Sequence, residues 1–300
     1  MGLTFGKEVK PEEMEKTLGL GDLPEGCVAM VLMNLEPQEI CKFARLNKAF
    51  HGASSADFVW ESKLPSNYYQ IVRKIFVNDL NGENSNDDDD DNDDGEFPVF
   101  LCKKDIYASL SQFNSLDNGT KKVWMDTSTG GMCMAISAKG LSINGIDDRR
   151  YWSHLPTDES RFPTVAYLHQ IWWFEVEGEV KFPFPEGIYS VFFRLQLGKT
   201  HKKFGRRVCD TEQVHGWDVK PVQFKLSAAG GPRTISQSFL EGPGTWLHYH
   251  VGDFVVENSE VASRVKFSMT QIDCTHTKGG LCVDSVVIYP RSLKERLKRF

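Results

Sequence analysis

The chain has 300 residues, of which 40% are hydrophobic and 12% aromatic, so it can build a sizeable core and is not an intrinsically disordered chain. Its formal net charge is −6, but the run 87–94 alone contributes seven of the 41 acidic residues, and the other acidic residues nearly balance the 35 basic ones. A folded part that is close to neutral argues against broad electrostatic binding of nucleic acid.

The cysteines indicate a reducing compartment. They are seven, an odd number, they are widely spaced, and no two form a CxxC pair, which favours free thiols and therefore the cytoplasm or the nucleus. Cys274, His276 and Cys282 have a spacing that fits no common zinc finger, so we predict no metal ion and no cofactor. The sequence has no apolar signal segment and no run of about 18 apolar residues. We therefore predict that the chain is not secreted and does not associate with a membrane.

Residues 1–19 read as a polar, disordered leader, and the segment from Leu23 to Trp60 then has the pattern of short amphipathic helices. Apolar residues occupy the i, i+3, i+4 and i+7 positions of one helical stripe, at Val28, Val31, Leu32 and Leu35. A unit of about 40 residues without disulfides buries too little surface to be stable alone. We therefore expect the rest of the chain or a partner to cover its excess apolar surface.

The same segment follows an ordered pattern of Leu-Pro, aliphatic positions, an acid followed by Pro, and a final Trp. The matching positions are Leu23-Pro24, Val28, Val31-Leu32, Leu35, Glu36-Pro37 and Trp60, while Gly26 stands where a second acid is usual. In this order the segment closely resembles an F-box. The resemblance implies docking on the Skp-type adaptor of an SCF ubiquitin ligase, and through the adaptor on a cullin scaffold. The residues expected at that interface or supporting it are Leu23, Pro24, Val28, Val31, Leu32, Leu35, Pro37, Ile40, Phe50 and Trp60.

The next segments are a helix, an acidic run and a second helix. Residues 66–77 predict a helix that extends the first unit, which would then span residues 20–77. Residues 78–97 carry like charges that repel and little to bury, so they predict an exposed disordered linker. Residues 98–116 predict one more helix, and residues 291–300 predict a basic tail.

From Trp124 onward the pattern changes to strands. Runs rich in β-branched and aromatic residues alternate with clusters of Gly, Pro, Asn and Asp, and the predicted strands are 132–137, 171–176, 189–197, 222–226, 246–251, 265–270 and 283–289. Many short strands without helices between them predict an antiparallel, jelly-roll-like β-sandwich. The fold class is therefore α+β and multidomain, with a helical unit followed by a β-sandwich over residues 98–290.

Several phrases of this half occur in one fixed order. They are 141–143 (LSI), 148–152 (DRRYW), 160–162 (SRF), 172–176 (WWFEV), 192–199 (FFRLQLGK), 212–217 (EQVHGW), 246–252 (WLHYHVG) and 269–272 (MTQI). With them the strand-rich half strongly resembles the phloem protein 2 domain, which is shared with the Nictaba-type plant lectins. Together, the two resemblances indicate a plant F-box protein that carries a phloem protein 2 domain.

The second resemblance also implies where a sugar would bind. Sugars are recognised by aromatic faces together with nearby carboxylates and amides. In the related lectin two tryptophans are implicated; one aligns with Trp152, and the other falls on Asn144-Gly145, where this chain has no ring. Trp172 and Trp173 are adjacent on a predicted strand, so at least one is expected in the core. The candidate sugar or target contacts are Trp152, Trp172, Tyr151 and Arg161.

No catalytic motif occurs in the sequence: GxSxG, GxxxxGK[ST], HExxH and a GxGxxG after a strand are all absent. We therefore predict a non-catalytic substrate receptor of a ubiquitin ligase, whose sandwich recognises a target protein or a glycan on that protein. One alternative is a cytosolic or nuclear lectin without a role in ubiquitination. Another is a structural phloem protein assembled through disulfides, which the scattered cysteines disfavour.

Overall fold

The computed structural model describes residues 23–77, 102–203 and 206–294. The chain forms two compact units, one up to Lys63 and the other from Leu64 onward. The predicted leader at 1–19 and the predicted linker at 78–97 lie outside the described residues, as do residues 295–300 of the predicted tail. The start of that tail, Arg291–Leu293, is a short 3₁₀ turn.

The first unit contains four short helices within residues 23–63. They are α1 (Glu25–Leu32), α2 (Pro37–Phe43), α3 (Lys48–Ala53) and α4 (Asp57–Glu61), and α1 packs against α3 and α4. Pro24 directly precedes α1 and Pro37 opens α2, where the missing proline N–H costs no hydrogen bond. Asn47 caps α3, because its side-chain oxygen accepts a hydrogen bond from the backbone N–H of Phe50 at 2.9 Å.

Residues 64–77 belong to the second unit, whereas the sequence predicted that they extend the first. They contain α5 (Tyr68–Val72) and a π-helical turn (Arg73–Val77). Asn67, just before α5, is 3% exposed, and its amide donates hydrogen bonds to the carbonyl oxygens of Pro183 at 3.1 Å and Ser259 at 3.0 Å. These bonds join residues far apart along the chain, which no local pattern indicates.

The rest of the second unit is one helix followed by antiparallel strands, in agreement with the β-rich class that the sequence predicts. The helix is α6 (Lys103–Leu110). The strands are β1 (Asn114–Leu116), β2 (Lys121–Met125), β3 (Met132–Ser137), β4 (Ser142–Ile143), β5 (Trp152–Pro156), β6 (Thr164–Leu168), β7 (Phe174–Phe182), β8 (Gly187–Leu197), β9 (Lys199–Lys203), β10 (Arg206–Asp210), β11 (Val222–Ala228), β12 (Thr234–Ser238), β13 (Leu247–Val256), β14 (Ser263–Gln271) and β15 (Leu281–Pro290).

Thirteen of these strands form two large sheets. An eight-stranded sheet has the order β1-β2-β3-β15-β6-β5, with β8 on the other edge of β15 and β13 beside β8. A five-stranded sheet has the order β12-β11-β14-β7-β4, and β9 and β10 form a separate two-stranded ribbon. Phe193 on β8 contacts Phe224 on β11 and Phe267 on β14, with ring centroids 5.9 Å and 6.0 Å apart, so the two sheets pack face to face.

Strand β7 shows how one face of the five-stranded sheet is buried. Phe174, Val176 and Val180 are buried, while Glu177 and Glu179 between them are exposed. This alternation follows from the two-residue period of a strand whose second face meets water. In contrast, every residue of β15 is buried, because this strand has neighbours along both of its edges and its sheet is covered on both sides.

The seven predicted strands correspond to β3, β7, β8, β11, β13, β14 and β15, and each observed strand starts within three residues of the predicted start. The other strands have two to five residues, too few for a clear period. The helix predicted over 98–116 is α6 alone in the described part, since Asn114–Leu116 pairs with β2 instead. Asp117 and Asn118 make the hairpin turn with φ of 49° and 53°. Within the described ranges, no helix is long and apolar enough to cross a membrane.

Candidate functional site

The ten residues predicted at or behind an adaptor interface separate into a buried and an accessible group. Leu23, Pro24 and Val31 are exposed, and Leu35 and Pro37 are half-buried. The accessible side chains can contact a partner directly, whereas the buried ones can only support the surface. The buried group, in which no residue is more than 7% exposed, is Val28, Leu32, Ile40, Phe50 and Trp60.

The buried residues hold the short helices together through packing and one internal hydrogen bond. The indole N–H of Trp60 donates to the carbonyl oxygen of Ser54 at 2.6 Å, which ties α4 to the end of α3. The rings of Phe43 on α2 and Phe50 on α3 stack with their centroids 6.0 Å apart. Phe50 and Trp60 therefore have structural roles that do not depend on a partner.

Further apolar side chains of this unit face solvent, and the sequence did not predict them as contacts. Met30 is 62% exposed, Leu46 is 64% exposed and Phe58 is 43% exposed. A signal for Met30 was available, because α1 after Gly26 reads Cys-Val-Ala-Met-Val-Leu and offers no polar face to water. We define the apolar surface of the helical unit as the exposed side chains Leu23, Met30, Val31, Phe43, Leu46 and Phe58.

In the second unit, two adjacent tryptophans are both exposed, Trp172 by 53% and Trp173 by 45%. The expectation that at least one of them lies in the core is wrong. It assumed that both belong to a strand, but β7 begins only at Phe174, so the alternation of faces does not reach them. We call Trp172 and Trp173 the tryptophan pair.

The tryptophan pair is held by contacts to its main chain. The buried ammonium of Lys278 donates to the carbonyl oxygen of Trp172 at 2.6 Å. The amide of Asn144 donates to the carbonyl oxygen of Trp173 at 3.0 Å. Burial lowers the pKa of the Lys278 side chain below its usual value. Lys278 and Asn144 bind only main-chain carbonyl oxygens, so they do not cover the faces of the two rings. The sequence did not predict either contact.

A carboxylate accompanies the second ring. The indole N–H of Trp173 donates to Oε2 of Glu175 at 3.1 Å, and Glu175 is half-buried at the start of β7. An exposed aromatic face beside a carboxylate can stack on an apolar patch while the carboxylate accepts hydrogen bonds or pairs with a cation. Trp173 and Glu175 therefore join the candidate surface, although neither was among the predicted contacts.

Trp152 and Tyr151, two other predicted sugar contacts, lie beside the Asn144–Gly145 turn that holds the tryptophan pair. Trp152 is 2% exposed, and its indole N–H donates to the carbonyl oxygen of Asn144 at 3.0 Å. Its predicted stacking role is therefore corrected to a core role, because a buried ring offers no face to a sugar. Tyr151 is half-buried, and its ring would lie 3.2 Å from a Cβ placed at Gly145, whose φ is 73°.

Arg161, the remaining predicted contact, lies away from the tryptophan pair. Its guanidinium stacks on Trp124 at 4.9 Å and lies 5.7 Å from the ring of Phe113. Arg161 precedes β6 and the tryptophan pair follows it, so they lie beyond opposite ends of that strand. Arg161 and Trp172 therefore cannot line one small pocket, and the guanidinium is already engaged with aromatic rings.

The cysteines and histidines form no metal centre in the part of the chain that the structure describes, where no cluster of three or more His, Cys, Asp or Glu could hold an ion. Cys282 is buried on β15, and burial raises the pKa of its thiol to about 12. Cys274 is exposed in a loop.

Comparison with known proteins identifies the family. Residues 131–290 match the model of the family described as phloem protein 2. Three relatives from Arabidopsis thaliana match most of the chain. F-box protein PP2-A12 is 61% identical over 94% of this chain and 91% of its own length. F-box protein PP2-A11 is 61% identical over 93% and 91%, and F-box protein PP2-A13 is 56% identical over 92% and 90%.

The chain belongs to the plant F-box proteins with a phloem protein 2 domain. Both resemblances drawn from the sequence are thus confirmed at the level of family. The phloem protein 2 match begins one residue before β3 and ends with β15, so it includes the tryptophan pair, the five-stranded sheet and all of the eight-stranded sheet except β1 and β2. The match begins well after the helical unit, which the F-box relatives nevertheless cover, since they align with more than nine tenths of the chain.

Solved structures add little to this assignment. The Podospora anserina GH26-CBM35 β-(1,4)-mannanase has a TM-score of 0.32 at 8% identity, over 53% of this chain and 27% of that one. TmCBM61 in complex with β-1,4-galactotriose has a TM-score of 0.29 at 14% identity, over 50% of this chain and 87% of that one. Likenesses at this level support no statement about the phloem protein 2 domain.

Proposed function

We propose that this chain is a substrate-receptor subunit of an SCF-type ubiquitin ligase. The helical unit is the F-box and docks on the Skp-type adaptor, which connects it to a cullin scaffold. The phloem protein 2 domain binds the target protein and brings it close to the ubiquitin-transferring subunits, so its contribution to the reaction is proximity. The chain itself supplies no catalytic group in this scheme. The odd, scattered cysteines favour the cytoplasm or the nucleus as its location.

The observation that carries the proposal is the apolar surface of the helical unit. Six large apolar side chains between Leu23 and Phe58 are 37–64% exposed within a unit of only about 40 residues. So many exposed large apolar side chains in so small a unit favour a binding surface, because large side chains buried on binding supply most of the energy of an interface. Relatives that carry this segment are named F-box proteins, which supports the Skp-type adaptor as the partner.

The proposal is tested by replacing Leu23 and Pro24 together with alanine. Both side chains are exposed, so the substitution removes contact area with little effect on the internal packing of the unit. We expect adaptor pull-down to fall by at least roughly tenfold, as for the loss of interface anchors worth more than about 1.4 kcal/mol.

The matched control is Val255→Ala, which shortens a 59% exposed apolar side chain on β13 of the other unit. This control should retain full adaptor binding. Circular dichroism should show that both variants keep the wild-type spectrum. Undiminished pull-down by the Leu23/Pro24 variant would reject the docking assignment.

A cytosolic or nuclear lectin is the alternative, and the tryptophan pair is the observation that favours it. Two exposed indole rings with Glu175 beside them provide the aromatic and carboxylate groups that sugar recognition requires. A glycan array with the full chain distinguishes the two functions. Glycan binding that is lost in Trp172→Ala, together with absent adaptor pull-down, would favour the lectin.

A further inference from the structure

A groove of about 650 Å³ crosses the outer face of the five-stranded sheet. Residues with small side chains and residues with long charged side chains both line it. The small ones include Ser142, Gly178, Ser227 and Ser268, and the charged ones are Glu177 and Glu179 on β7, Lys266 on β14, Lys225 on β11 and Arg233 before β12.

The strand register sets the distance between the two sides of the groove. Ser142 pairs with Glu177, Glu177 with Ser268, and Ser268 with Lys225, so these residues form one row across four strands. Neighbouring strands lie about 4.8 Å apart. The backbones at Glu177 and Lys225 are therefore separated by two strand spacings, about 9.6 Å, with the small Ser268 side chain between them.

The charges in this row are not neutralised, in contrast to those in the next row. Glu179 is paired with Arg264 at 3.2 Å and with Lys266 at 3.2 Å. The side chains of Glu177 and Lys225 have neither a hydrogen bond nor an ion pair with any residue of the described ranges. The face thus presents a carboxylate and an ammonium without partners in the described ranges, carried by backbones about 9.6 Å apart.

The acidic side of the groove continues toward the tryptophan pair. Glu175 precedes Glu177 by two residues on β7 and therefore points to the same face of the sheet. The ring of Trp173 lies at this end, with its N–H bonded to Glu175. Across the strand pair, Glu175 is opposite Thr270, whose hydroxyl carries no charge.

We propose that this groove binds an extended peptide segment of the target protein, with a basic and an acidic residue three positions apart. The basic residue pairs with Glu177 and the acidic residue with Lys225. In a polyproline II conformation, residues i and i+3 point to the same side and lie about 9.3 Å apart, which matches the separation across the row. A neutral ligand would leave both charges of the row unpaired.

The peptide inference rests on the proposed function, because it names the class of target that the phloem protein 2 domain would recognise. The exposed ring of Trp173 adds a surface of the kind that docks proline-rich extended segments. Charge pairs at the side of a groove act mainly through complementarity, and they set the register and direction of the bound segment.

The test uses the full chain and a fluorescein-labelled synthetic peptide, Ala-Pro-Arg-Pro-Pro-Glu-Pro-Ala, followed by fluorescence anisotropy. We expect saturable binding that weakens as salt is raised, since exposed charge pairs are screened. A control peptide with Gln in place of both Arg and Glu should bind roughly tenfold more weakly. Equal binding of the two peptides, or no saturable binding of either, would overturn the inference.

Two protein variants test the row itself. Glu177→Lys and Lys225→Glu should each weaken binding of the charged peptide by roughly tenfold, because each places like charges face to face. Glu186→Lys is the matched control, since Glu186 is exposed between β7 and β8 and does not line the groove. Peptide affinity unchanged in both groove variants would contradict the assignment of the site, and either variant alone suffices if the other fails to fold.

Adaptor pull-down on the same samples separates this inference from the proposed function. If the wild-type chain binds the adaptor but binds the charged peptide and the Gln control peptide equally, only the peptide groove is rejected. Absence of adaptor binding in the wild type would reject the receptor function, whatever the peptide results are.

Discussion

At the scale of single residues, the same side chain has opposite roles in different places. Trp152 and Trp217 are each 2% exposed and donate their indole N–H to a main-chain carbonyl, whereas Trp172 and Trp173 are about half exposed. All four residues are tryptophans, so residue type cannot distinguish the buried rings from the exposed ones. What separates them is whether the rest of the fold covers the ring, because Trp152 opens β5 and Trp217 lies between β10 and β11, outside any strand, yet both are buried.

His248 provides a prediction at this scale. Burial, reinforced by the nearby charges of Arg194 and Arg161, lowers the pKa of His248 from 6.5 to about 4. The folded chain therefore keeps this imidazole neutral between these two values, while the unfolded chain takes up a proton. The unfolded state binds more protons there, so this contribution to stability is present above pH 6.5 and is lost as the pH falls toward 4.

We expect the free energy of unfolding to fall by on the order of 2 kcal/mol from this group between pH 7 and pH 4.5, at about 1.4 kcal/mol per pKa unit. Urea titrations at several pH values, compared with His248→Leu, measure it. The variant should lose less stability over this range than the wild type. Parallel pH profiles for the two proteins would show that His248 does not titrate as described.

At the scale of elements, long strands follow their sequence pattern and short elements follow their neighbours. The predicted strand at 132–137 coincides with β3, whereas Asn114–Leu116 was predicted as helix and pairs instead with β2. A run of three residues has no period of its own, so its conformation is decided by the strand available beside it. The helical residues 68–77 likewise belong to the second unit, because Asn67 just before them is hydrogen-bonded to Pro183 and Ser259, which are far away along the chain.

Asn67 tests how that helical element is held. Its amide makes two buried hydrogen bonds, to Pro183 and Ser259, so Asn67→Ala should leave two carbonyl oxygens without this donor. We expect a loss of about 2 kcal/mol in the free energy of unfolding, measured by urea denaturation.

Asn34→Ala is the matched control for this substitution. The amide of Asn34 also donates to a main-chain carbonyl, that of Met30 at 2.8 Å, but in an exposed position where water can replace it. It should change stability by no more than about 0.5 kcal/mol. Equal effects of the two substitutions would argue against a structural role of the buried amide.

At the scale of the whole molecule, the two units differ in how well each covers its apolar side chains. The β-rich unit buries β15 completely and places aromatic rings between its sheets. The helical unit exposes six large apolar side chains within its 41 described residues, whereas the second unit exposes 12 within its 205 described residues. A small unit with a partial core opens more readily than a sandwich of this size.

Hydrogen–deuterium exchange should detect this difference. In the free chain, amides of α1 and α3 should exchange faster than those of β8 and β15. Addition of the Skp-type adaptor should slow exchange in the helices, because a ligand that binds only the folded state stabilises it. Exchange in β8 and β15 should stay unchanged and serves as the internal control. Exchange in α1 and α3 that is insensitive to the adaptor would contradict the proposed interface.

The order of apolar, acidic and proline residues from Leu23 to Trp60, and the long runs of β-branched and aromatic residues after Trp124, determined the family and the β-rich class without coordinates. These features are local, so their period and spacing can be read along the chain. The groove row of Glu177, Ser268 and Lys225, the burial of Trp152 and the exposure of the tryptophan pair were decided only by tertiary structure. They depend on which distant strands become neighbours, and pairing between distant strands leaves no period in the sequence.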